Sequence, residues 1–112
     1  MTEYAVEITL PAERDLAKIY TYISETLKEP QSARRVYSSI KKEIISLSYM
    51  PGRHGIIGDD RYLSIELRRL FVENFAVFYT IDNQKMIVYI LRILYVRREW
   101  RQILFEDDQA IL

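Results

Sequence analysis

The chain has 112 residues, enough for one modest hydrophobic core and too few for a catalytic domain joined to a regulatory one. Apolar residues make up 49% and charged residues 29%, and sixteen basic side chains offset sixteen acidic ones, so no global field draws the chain onto nucleic acid or an anionic membrane. The absence of cysteine excludes a disulfide framework and a thiolate nucleophile, and a single histidine leaves too few ligands for a zinc site.

The first ten residues carry Glu3 and Glu7 where a signal peptide would be basic, and no window is apolar over the length of a membrane span. A cytoplasmic protein without a membrane partner is therefore expected. Tyr4, Val6 and Ile8 alternate with Ala5, Glu7 and Thr9, the period-2 pattern of a half-buried strand. Pro11 suits a first helical turn, and Leu16, Ile19, Tyr20, Ile23 and Leu27 follow at helical spacing, which predicts a helix from about Pro11 to about Leu27. After Pro30, a second stripe of Ala33, Val36, Tyr37, Ile40, Ile44 and Leu47 predicts another helix, and the short connection makes the two an antiparallel hairpin.

The segment MPGRHGIIGDD (50–60) holds all three glycines and reads as a loop. From Tyr62 to Tyr95 the chain turns β-branched and aromatic, with Glu73-Asn74 and Asp82-Asn83-Gln84 as turns between three strands of a meander. Trp100, Ile103 and Leu104 suit a short terminal turn that covers the sheet. The expected fold is thus α+β: an N-terminal strand, a helical hairpin, and a three-stranded antiparallel meander. One domain is expected over 1–104, followed by an acidic and apolar tail over 105–112.

The arginines of the second half are the informative polar residues. Arg68 and Arg69 open one predicted strand, Arg92 lies in the last, and Arg97, Arg98 and Arg101 follow it; their guanidinium forks suit phosphate or carboxylate. Tyr62, Tyr79, Tyr95 and Trp100 add aromatic faces for stacking or protein contact. His54, in PGRHG, is the default general acid or base by its pKa alone, and Asp59-Asp60 read as turn residues rather than a metal site. No phosphate loop, dinucleotide fingerprint or nucleophile elbow is present, and neither a cofactor nor a metal is expected.

The run LRRLFVENFAVFYTID followed by MIVYILRILYVRREW resembles the C-terminal half of toxins of the RelE/ParE superfamily, where an arginine-bearing strand leads into a tyrosine-bearing one and then into an arginine-bearing last strand. Ala12, Asp15, Leu16, Ile19, Tyr22 and Ile23 resemble the first helix of these proteins, and Pro51 the proline that ends their second; the resemblance spans Tyr4 to Leu104. It implies a microbial-RNase-like fold, a type II toxin–antitoxin module with its association with plasmid stabilisation, a co-encoded antitoxin that wraps the toxin, and growth arrest when the toxin is free. Two activities divide the superfamily. A ParE-like member poisons DNA gyrase by protein contact, and here Arg68, Arg69, Tyr79, Arg92, Arg97, Arg98 and Trp100 would form the target surface. A RelE-like member, an mRNA interferase, cuts messenger RNA on the ribosome; Arg69, Arg92 and Arg97 would then hold phosphate while Tyr95 or His54 moves the proton. Ala76 stands where such nucleases often place an arginine, and Trp100 where a terminal tyrosine would be sought, which inclines the resemblance toward ParE. A non-toxic binding module of the same fold stays open as a third reading.

Overall fold

The computed structural model describes residues 3–57 and 65–104. Strand β1 (Ala5–Ile8) leads into helix α1 (Leu10–Thr21), helix α2 (Pro30–Ser46) and three strands, β2 (Arg68–Val72), β3 (Phe75–Asp82) and β4 (Ile87–Tyr95). The sheet order is β1-β4-β3-β2. The meander is antiparallel as the sequence predicts, and β1 joins it as a parallel edge strand beside β4. Tyr62 and Asp59-Asp60, like the tail over 105–112, lie outside the described residues.

Thr9 makes the turn from β1 into α1. Its hydroxyl donates to the carbonyl of Ile90 at 2.7 Å and accepts the Ala12 N–H at 3.4 Å, so one side chain caps the helix and pins it to β4. The first predicted helix changes character before its end: α1 continues as a π-helical turn (Tyr22–Thr26). It stops where Lys28 takes a left-handed backbone, φ 56°, and the Glu29 N–H reaches back to the Ile23 carbonyl at 3.0 Å. Pro30 then starts α2 at the position where a missing N–H costs nothing.

Each face of the sheet carries its own apolar cluster. Leu70, Val72, Val77, Tyr79, Val88, Ile90 and Ile93 meet Leu16 and Ile23 from the first helical segment and Val36, Ile40, Ile44 and Leu47 from the second. On the other face Leu67, Ala76, Phe78 and Leu94 are covered by Ile57, Leu91, Trp100, Ile103 and Leu104, the last three from helical residues 100–104. Both faces of β3 are therefore buried, which is why FAVFY reads as a continuous apolar run rather than an alternating one.

A β-bulge in β4 sets the site. Tyr79 pairs with Ile90 and Phe78 with Arg92, which leaves Leu91 without a partner on β3. The extra residue reverses the side-chain phase, so Val88 and Ile90 before it and Ile93 after it all face the helices. Arg92 follows Leu91 directly, opposite Phe78.

Candidate functional site

Arg92 meets Asp15 across the bulge. Its Nε–H donates to Asp15 Oδ2 at 2.7 Å and its Nη2–H to Oδ1 at 2.9 Å, a two-pronged pair in which the side chains are only 12% and 8% exposed. The Ile93 N–H adds a third bond to Oδ2 at 2.9 Å. β1 stops opposite Ile90, so beyond it no described strand lies on that side of β4, and the Asp15 carboxylate accepts the Ile93 N–H that a neighbouring strand would take. Arg92 is thereby committed to the fold. The sequence argument named Asp15 only as a residue of the first helix; the usable signal was an acid on the same helical stripe as Ala12, Leu16 and Ile19.

A second group forms where the loop after α2 meets β2 and β3. Tyr79 is fully buried, and its hydroxyl donates to the Pro51 carbonyl at 2.6 Å; burial pushes its pKa up against the opposing pull of Arg68 and Arg53. It belongs to the core and offers no surface to a target. Arg68 donates to the carbonyls of His54 at 2.6 Å and Gly52 at 3.1 Å, and its guanidinium lies 3.5 Å from Glu66. His54 stands edge-on to the Tyr79 ring at 6.4 Å, with Nε2 buried and unpaired among the described residues. Burial first, then the Arg53 charge, push its pKa below the ordinary imidazole range, with Glu43 pulling the other way. Arg53 closes the loop by donating to the Tyr49 carbonyl at 2.7 Å and the Ser46 hydroxyl at 2.7 Å.

Arg69 points to the other side of β2, with its guanidinium 4.7 Å above the ring of Phe71. Across the strand pair Arg69 faces Phe78, and Phe78 stacks on Trp100 at 5.2 Å, with the Arg101 guanidinium 4.5 Å over the indole. Arg97 and Arg98 are exposed on the turn after β4. The sequence-predicted arginines thus divide: Arg68 and Arg92 are held by internal partners, Arg69 lies half-buried over Phe71, and Arg97 and Arg98 are exposed.

Tyr95 lies apart from His54 and Tyr79. It pairs with Phe75, four residues along β3 from Tyr79, which is about 13 Å at the rise of an extended strand. Here a groove of about 850 Å³ opens between the helices and the end of the sheet. Ile19, Tyr22, Ile23, Leu27, Val36, Phe75, Ile93 and Leu94 give it an apolar floor and walls; Lys18, Arg35, Glu29, Glu73, Tyr95 and Arg98 give it a polar rim. Arg35 grips both Glu73 oxygens at 2.8 Å, a bridge from α2 to the β2–β3 turn at one end of the groove. The sequence argument did not name Arg35 and gave Glu73 only as a turn residue.

The family model described as "ParE toxin of type II toxin-antitoxin system, parDE" matches residues 6–100. The chain belongs to the ParE toxin family. Solved structures agree on the fold that this family and the wider RelE/ParE superfamily share. One of the chromosomal ParDE system from P. aeruginosa has 21% identity and TM-score 0.70, covering 85% of this chain and 98% of the other. The RelBE2 toxin–antitoxin complex from Mycobacterium tuberculosis has 23% identity and TM-score 0.64 over 85% of this chain and 93% of the other. A mutant of the E. coli RelE toxin in the free state has 14% identity and TM-score 0.62 over 99% and 100%. No curated protein is significantly similar in sequence.

Proposed function

We propose that this ParE-family chain arrests growth by binding DNA gyrase through protein contacts, and that an antitoxin segment seated in the groove between the helices and the end of the sheet neutralises it. One observation carries the first part. A ribonuclease using 2′-hydroxyl attack needs an acid or base within hydrogen-bond reach of the scissile phosphate and its cationic clamp. Here the candidate groups are occupied or apart: Arg92 is locked to Asp15, Tyr79 donates to a backbone carbonyl, and Tyr95 is about 13 Å along the sheet from Tyr79, against which His54 packs. What remains at the surface, Arg69, Phe71, Arg97 and Arg98, is the mixture of arginine and aromatic side chains that dominates protein–protein contacts.

The antitoxin part rests on the groove and on the company this fold keeps, since the M. tuberculosis and Pyrococcus horikoshii neighbours were solved as RelBE2 and RelE–RelB complexes. The groove's apolar floor suits a segment with large hydrophobic anchors, and Lys18 and Arg98 suit acidic groups beside them. The rival reading, a ribosome-dependent cleavage of messenger RNA in the cytoplasm, has one observation in its favour: Tyr95 is 40% exposed and shares the groove with Arg98.

Inducing the chain without its antitoxin and following DNA supercoiling, double-strand breaks and transcript integrity over the first minutes separates the two. Broken or relaxed DNA with intact transcripts supports gyrase. Cleaved transcripts with intact DNA, abolished by Tyr95→Phe, overturn it, and undisturbed growth refutes toxicity altogether.

A further inference from the structure

The solvent side of α2 is basic. Ser38 stands at its middle, and the four residues that neighbour it on a helix surface, three and four positions before and after, are Arg34, Arg35, Lys41 and Lys42. Arg34, Arg35, Ser38 and Lys42 are exposed and Lys41 is half-buried. The buried stripe of Ala33, Val36, Ile40 and Ile44 lies on the opposite side. Glu43 is the one acid of α2, and its charge is felt at His54 in the loop that follows the helix. Glu73 takes Arg35 at 2.8 Å, which leaves Arg34, Lys41 and Lys42 without an ion pair among the described residues.

We propose that this face binds the phosphate backbone of duplex DNA, with Arg34, Lys41 and Lys42 pairing with phosphates and the Ser38 hydroxyl donating to one of them. Arg34, Ser38 and Lys42 rise one above another at about 6 Å per step, a straight row of polar groups about 12 Å long. A duplex carries one phosphate charge per roughly 1.7 Å of its axis, so a row of that length always has several within reach. A single strand is the poorer fit. Proteins that hold one stack its bases on aromatic rings, and the ring beside Ser38, that of Tyr37, stands edge-on to Tyr20 at 5.9 Å. The chain as a whole is neutral, so the attraction is local, and three contacts give weak, sequence-indifferent binding that salt removes. Such binding holds the toxin near DNA, where its proposed target works, and raises the concentration at which the two meet. The choice of DNA over duplex RNA rests on that proposed target.

Fluorescence anisotropy of a labelled DNA duplex, titrated with the full chain made by cell-free synthesis over a series of salt concentrations, tests it. No gyrase is in the mixture, so this proposal and the gyrase reading stand or fall separately. Three neutralised phosphates give a slope of about −2.7 for log affinity against log salt, a loss of about 40-fold between roughly 50 and 200 mM. Arg34→Gln, Lys41→Gln and Lys42→Gln each reduce the slope by about 0.9, and a duplex of scrambled sequence binds alike. Ser38→Ala weakens binding and leaves the slope, since a hydroxyl releases no counterion. Lys85→Gln, exposed on the turn between β3 and β4, changes nothing. A thermal melt of Lys42→Gln close to that of the parent shows that the face and not the fold was altered. No binding at the lowest salt, or a slope that ignores the three substitutions and follows Arg97→Gln and Arg98→Gln, overturns the proposal. Tighter binding of single-stranded DNA or of duplex RNA overturns it too, and a polyglutamate chain that displaces the duplex at equal charge marks an acidic protein as the partner instead.

Discussion

Replacing Asp15 by alanine removes three acceptor contacts at once: two to the Arg92 guanidinium at 2.7 and 2.9 Å and one to the Ile93 N–H at 2.9 Å. What remains is a cation with its side chain 12% exposed and no counter-charge from α1, beside a backbone donor without its acceptor. Breaking a buried pair from one side costs about 3–5 kcal/mol, a large share of the ~5–15 kcal/mol that holds a domain of this size. At roughly 4 °C or more per kcal/mol for such a domain, Asp15→Ala lowers Tm by roughly 12 °C or more. Asp15→Leu combined with Arg92→Met removes both charges and recovers most of that loss, leaving mainly the unsatisfied Ile93 N–H at about 1–3 kcal/mol. Urea melts of the two single variants and the double variant close the cycle. A loss under about 1 kcal/mol for Asp15→Ala, or single losses that simply add, refutes the reasoning. The same variants carry a functional reading. If Arg92 only holds α1 to β4, the double variant still arrests growth; if Arg92 touches the target, it folds and does not.

Three further outcomes follow from the geometry. Lys28 sits at φ 56°, where a Cβ costs about 1–2 kcal/mol, so Lys28→Gly stabilises the chain by about 0.5–1 kcal/mol after the greater freedom of glycine in the unfolded state is deducted; calorimetry reads this as a higher Tm. Tyr79→Phe strands the buried Pro51 carbonyl and costs about 1–3 kcal/mol in a urea melt, with toxicity retained at temperatures where the variant is folded. His54 has a depressed pKa in the folded chain, so the unfolded chain binds the proton more readily; stability is complete above about pH 6.5 and falls as pH drops below it. His54→Gln flattens that slope in Tm measured between pH 5 and 7, and an unchanged slope rules out His54 as its source.

The helices were legible because burial on one face imposes a 3.6-residue period, and Leu16, Ile23, Val36, Ile40 and Ile44 fall in the core where that period places them. The meander was legible from its turn residues. The parallel seat of β1 beside β4 was not, because pairing between distant strands leaves no local mark. Among the polar residues the difficulty is sharper. An arginine reads the same in sequence whether it is solvated or clasped by a carboxylate 77 residues earlier, as Arg92 is by Asp15. Tyr79 was expected on a target surface, and its neighbours in β3, which do not alternate, gave nothing to correct that; a strand covered on both faces hides which side chains point where. Arg35, Glu73 and Phe71 stand out only once the β2–β3 turn is brought against α2 and β2 is seen to be an edge.

The parallel pairing of β1 with β4 also governs the order in which the molecule assembles. Helix hairpin and meander close over short stretches of chain, but the seam that joins them requires the first strand to find the last, a closure of 82 residues at Thr9–Leu91. Until then the apolar undersides of α1 and α2 have no complete sheet to rest on, and Arg92 has no Asp15. On the proposed function, an incompletely made toxin therefore has neither a finished groove for an antitoxin nor a finished surface for a target. Neutralisation and toxicity come into being in the same folding step.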